Sequence, residues 1–173
     1  FPDYIEYQGH DMNILMKETI QHEGFDSLKD TFFMIEQTSV FFDAYEGDAK
    51  GPGQYFKQWW KTKTEDELKL VFSRDRGATI QSGLALNIPD HKPLIFTNSQ
   101  RGRVDFDGSI RDENEKYSWL SAGDFNMYFI PNGTNRVYNQ MTIREFLNYD
   151  FRKPNFEKIY TRLSEYDAIL QSE

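Results

Sequence analysis

Carboxylates, histidines and a dense run of aromatic rings are the side chains whose types and spacing lend themselves to chemistry in this sequence. Asp105 and Asp107 stand two apart in a segment that alternates them with Val104, Phe106 and Ile110. On a strand, both carboxylates leave the same face, with Asp112, Glu113 and Glu115 following in the next turn. Oxygen ligands of this kind suit a hard cation such as Mg²⁺, yet the same alternation describes the wet face of any half-exposed strand, so the pair is a weak metal candidate. Asp48 and Lys50 spell D-x-K, an acid and a lysine of the kind that can flank a scissile phosphate, but they fall in a glycine-proline loop instead of on a rigid strand. His10, His22 and His91 have no spacing that would place two of them on one helical turn. His10 precedes Asp11 and His22 precedes Glu23, but sequence neighbours seldom face one another on a helix. All three are read as surface or loop residues.

Tyr55, Phe56, Trp59 and Trp60 put four rings within six residues. Tyr55 with Trp59 and Phe56 with Trp60 are i,i+4 pairs, so the rings cover more than one helical face and one of them should reach solvent or a ligand. Tyrosine and tryptophan anchor many interfaces. The four rings, with the acidic residues Asp43, Glu46 and Asp48 just before them, form the candidate binding set. Signatures of a serine nucleophile, a phosphate-cradling lysine loop and a dinucleotide fingerprint are missing. Gly51-Pro52-Gly53 lacks the following lysine, and its proline has no N–H to offer a phosphate. No cofactor is expected, and the sequence leans against an enzyme.

The chain has no cysteine, which excludes thiol catalysis, thiolate metal sites and a disulfide scaffold. The net charge of −8 is unevenly spread: residues 1–50 hold eleven acids against Lys17, Lys29 and Lys50, and the remainder is balanced. An acidic first third repels phosphates and anionic lipid and attracts basic surfaces. Arg74, Arg76, Arg101 and Arg103 offer at most a small cationic patch, so nucleic acid is not expected as a partner. No apolar run approaches the roughly 18 residues of a membrane span, and a soluble protein without membrane partners is expected.

The elements that must position these residues read as one α+β domain over residues 1–173. An acidic, mainly helical region spans 1–68. Within it Asp11 caps a helix to about His22, and Ser27 with Asp30 opens a second. Residues 31–45 read as helix, then strand, and a flexible loop follows at 47–53. From 69 to 140, alternation and recurring turn signals predict an antiparallel meander of about five to seven strands. Its strands include 80–88, 94–97, one around Val104, 116–120 and 125–130. Capping boxes are expected at Thr64/Glu67 and Thr142/Glu145. C-terminal helices fill 141–173, where Phe156, Ile159, Leu163, Tyr166 and Leu170 trace one stripe after Pro154.

Charge and rings together favour a protein-interaction module that binds a basic protein through its acidic N-terminal region, inhibitor- or immunity-like in type. One alternative is a small-ligand-binding or hydrolytic α+β domain with an aromatic pocket, in which Asp105, Asp107, His91, Tyr117 and Trp119 merit attention. Another is a structural module of a larger assembly.

Overall fold

Asp11 starts the first element as its type and place demand. In the computed structural model, which describes residues 11–45, 51–106 and 125–170, its Oδ1 accepts from the backbone N–H of Asn13 at 2.8 Å and of Ile14 at 3.2 Å. Helix α1 then runs over Met12–Ile20 and buries Met12, Leu15, Met16 and Ile20 along one stripe. The helix expected to open at Ser27 does not form. A 3-10 turn covers Glu23–Leu28, and residues 33–42 lie wholly in strand β1 (Phe33–Phe42) instead of passing from helix to strand. The β-branched and aromatic content of FMIEQTSVFF suits a pleated surface better than a helix.

The other strands are β2 (Gly77–Asn87), β3 (Leu94–Val104) and β4 (Phe129–Pro131), and the sheet order is β1-β2-β3-β4. Neighbours run antiparallel. The Asp43 N–H meets the Gly77 carbonyl where β1 ends and β2 begins, the Val104 N–H meets the Arg76 carbonyl, and Gly102 pairs with Pro131. The fold is thus α+β with an antiparallel sheet, as the sequence implies, but four strands are described where five to seven were expected, and β1 precedes the predicted 69–140 window. Two expected strands fuse into β3 because Gly102 is not a turn. A Cβ there would run into the Ile130 carbonyl oxygen and the Phe129 ring, so the glycine serves close packing of β3 on β4. The expected strand 125–130 shortens because Phe125–Met127 forms a 3-10 turn. The predicted strand 116–120 lies outside the described residues.

Helices α2 (Phe56–Lys61), α3 (Glu65–Phe72), α4 (Ile143–Tyr149) and α5 (Lys153–Leu170) complete the set. Both predicted capping boxes form: Thr64 and Thr142 each accept from the N3 backbone, and Glu67 and Glu145 reach back to the cap N–H.

The described residues make two compact units. One takes the chain up to Thr38, Gln81–Asn98 and Phe151 onward; the other takes Ser39–Ile80 and Ser99–Asp150. In the first unit, alternation along the strands sorts the side chains into two layers. Ile35, Ala85 and Ile95 pack with α1, whereas Leu84, Leu86, Leu94 and Phe96 pack with Ile159 and Leu163 of α5. The second unit is built on rings. Phe42, fully buried, meets the rings of Phe56, Trp59, Phe72 and Phe125 at centroid distances of 4.8–6.2 Å.

Candidate active site

On the face of the first unit that α5 covers, the apolar layer gives way to polar side chains at the start of that helix. Period-two geometry puts Glu36 and Thr38 on one face of β1, and Ser82 in line with Leu84 and Leu86 of β2. Arg152 immediately precedes α5 and Asn155 lies in its first turn, which Pro154 suits because a helix start needs no N–H there. The Arg152 Nε donates to Glu36 Oε1 at 3.0 Å, and its Nη2 donates to Thr38 Oγ1 at 2.8 Å. Thr38 Oγ1 donates to the same Glu36 oxygen at 2.8 Å, and Ser82 Oγ does so at 3.3 Å. Asn155 is fully buried, and its Nδ2 donates to the Ser82 carbonyl at 3.1 Å and to Ser82 Oγ at 3.3 Å. Its Oδ1 has no partner among the described residues. Arg152 also stacks on the neighbouring Phe151 ring, 4.3 Å from guanidinium carbon to centroid.

The chemistry of this cluster follows from its one-sided bonding. Glu36 Oε1 receives three donors, while Oε2 receives none among the described residues, and the side chain keeps 29% of its exposure. A carboxylate held by one oxygen presents the other as a proton acceptor or an oxygen ligand. The Arg152 side chain, 40% exposed, supplies a permanent positive charge beside it.

The residues nominated from sequence are placed as follows. Trp60 is buried among Phe56, Trp59, Phe125 and Tyr128. Phe56 and Trp59 are half-buried against Phe42, and Tyr55 is exposed ahead of α2. Burial pushes the Tyr45 hydroxyl up, against the opposing pull of its hydrogen bond with Trp59. Asp43 is clamped by both arms of Arg101, and Asp105 accepts from Arg76 Nη1 at 3.2 Å. Glu46, Asp48 and Asp107 lie outside the described residues, as do His10, Tyr117 and Trp119. His91 is an exposed loop residue whose Nδ1 lies 2.8 Å from the Pro89 carbonyl. Among the described residues no group of three or more His, Asp and Glu side chains gathers as a metal site would, and no helix is long and apolar enough to cross a membrane. The Glu36 cluster was not among the sequence nominations. Glu36 and Arg152 are 116 positions apart, and the one local hint was the E-x-T spacing on a strand.

No protein-family model and no curated protein sequence matches the chain. Solved structures do. The Staphylococcus aureus Ham1 protein is similar with a TM-score of 0.69 at 16% identity, over 95% of this chain and 81% of that one. A Coxiella burnetii HAM1 protein gives 0.64 at 18% identity over the same shares. The Mycobacterium abscessus protein described as a nucleoside-triphosphatase / dITP/XTP pyrophosphatase gives 0.59 at 16% identity, over 91% and 78%. At these identities the likeness is one of fold. It overturns the interaction-module reading, with its inhibitor role and its basic protein partner: the fold neighbours include a protein described as a nucleoside-triphosphatase. The electrostatic argument for that reading also weakens in the structure. Of the early acids, Glu36 pairs with Arg152, Asp43 pairs with Arg101, and Asp11 serves as a helix cap.

Proposed function

We propose that this chain, taken as one functional domain, hydrolyses nucleoside triphosphates to the monophosphate and pyrophosphate. The observation that carries the proposal is the likeness of fold over nine-tenths of the chain to structures that include a dITP/XTP pyrophosphatase. The polar cluster of the first unit supplies groups that such a reaction needs. A water oxygen bonds to the α-phosphorus, the bond from that phosphorus to the bridging oxygen breaks, and pyrophosphate leaves. Glu36 Oε2 takes the proton of the attacking water, and Arg152 offsets phosphate charge. In this proposal Phe56, Trp59 and Trp60 serve as frame of the second unit.

The test is direct. The purified protein is incubated with Mg²⁺ and dITP, XTP, dATP or GTP in turn, nucleotides are resolved by anion exchange, and pyrophosphate is assayed separately. Equal yields of monophosphate and pyrophosphate from dITP or XTP are expected. Absence of turnover with every triphosphate, together with absence of any thermal stabilisation by them, overturns the proposal.

A further inference from the structure

We infer that Ser82 and Asn155 are positioning residues that aim Glu36, an inference that rests on the hydrolase reading above. The direction of each hydrogen bond in the cluster is forced by what the groups can do. The Ser82 carbonyl only accepts, so the Asn155 amide must turn its Nδ2 toward it. That same nitrogen lies 3.3 Å from Ser82 Oγ and cannot accept, so the single Ser82 hydroxyl proton is left for Glu36 Oε1. Arg152 likewise has only donors, so the Thr38 proton also goes to Glu36 Oε1. Two hydroxyls thus point the same way, each held by a donor that cannot be reversed.

The result differs from an ion pair built for stability. An arginine that merely neutralises a carboxylate tends to engage both oxygens side by side. Here Arg152 meets one Glu36 oxygen through Nε and spends its other arm on Thr38. All three donors converge on Oε1, which restrains the carboxylate and leaves Oε2 without a donor among the described residues. Asn155 is kept fully buried for this arrangement although its Oδ1 finds no partner among the described residues, an unfavourable placement for an amide oxygen. Its contribution is therefore orientation, passed through Ser82, and neither residue touches the substrate.

The experiment measures dITP and XTP hydrolysis by the full chain carrying Ser82→Ala, Ser82→Thr or Asn155→Leu, beside thermal unfolding of each. Ser82→Ala and Asn155→Leu are expected to lower kcat roughly ten- to a hundredfold, the scale of a misplaced catalytic group, with KM nearly unchanged. Asn155→Leu removes a donor from the buried Ser82 carbonyl and should melt somewhat lower than the parent, so its rate is read per folded molecule, and Ser82→Thr, which keeps the hydroxyl, should retain most of the rate. Unchanged kcat in folded Ser82→Ala and Asn155→Leu overturns the inference. Failure of the hydrolase reading shows separately, as a parent chain without turnover. In that event a double-mutant cycle of Ser82→Ala with Glu36→Gln in urea decides: additive midpoints overturn the relay, and non-additive midpoints support it.

Discussion

Each unit of the molecule contains a glutamate, a threonine and an arginine bonded together, and the two trios are used differently. In the second unit Glu145 accepts from the Thr142 N–H and Oγ1 through Oε2 and from Arg136 through Oε1, so both oxygens are engaged, and all three residues lie within ten positions of one another. In the first unit Glu36 receives Thr38, Ser82 and Arg152 on a single oxygen, and its arginine comes from 116 residues away. The same functional groups thus finish a helix end in one place and hold a carboxylate half-open in the other. What separates a structural trio from a candidate site is whether an acceptor is left over.

The largest effect that probes this contrast falls on the ring cluster. Phe42 is fully buried and contacts rings from α2, α3 and the turn at Phe125. Phe42→Ala should cost about 4 kcal/mol of stability, as large core truncations do, while the folded fraction keeps its hydrolytic rate. Urea unfolding beside activity per folded molecule checks this. A fall in kcat matching the loss of stability would move the rings from frame to site and dissolve the contrast.

Next comes the pair of glutamates. Glu36→Gln should lower kcat by roughly a hundredfold or more, as removal of a general base does, with a small change in melting temperature. Glu145→Gln should leave kcat where it is. Equal behaviour of the two variants in steady-state assays would show that the half-open carboxylate has no special role.

Much of the frame was legible because its signals are local. Asp11, Thr64 and Thr142 announce helix starts through residues two or three positions on. The stripe through Ile159 and Leu163 announces α5, and the alternation of Ile80 with Leu84 and Leu86 announces β2. Two misreadings have physical causes. Gly102 has the composition of a turn but the job of admitting a neighbouring backbone. Phe33 to Phe42 gathers its polar residues into one block, Glu36 to Ser39, between two apolar ends, and such a block has neither period by which to separate helix from strand. The Glu36 cluster was not legible, because it needs β1, β2 and α5 to meet, and none of its residues is uncommon by type. The rings of residues 55–60 stand out in the sequence, yet Trp60 lies in the core.

The smallest effect isolates the closed trio. The hydrogen bond from the Thr142 backbone holds the Glu145 carboxyl below the ordinary glutamate range, with the Thr142 hydroxyl and Arg136 adding to it. Because the folded-state value is the lower one, the cap stabilises fully above the unfolded carboxyl range and loses its contribution as pH falls through the folded value. Thr142→Ala should therefore lower the melting temperature by about 2–4 °C at neutral pH, and the gap between variant and parent should narrow without vanishing as the solution is acidified past that range, because only the hydroxyl's bond to the carboxylate depends on its charge, whereas the Glu145 N–H bond to Thr142 Oγ1 does not. Melting curves of both proteins over a pH series measure it. A gap of constant size at every pH would mean that the Thr142 hydroxyl does not act through the Glu145 carboxylate, and the closed trio would then no longer be the counterpart of the open one.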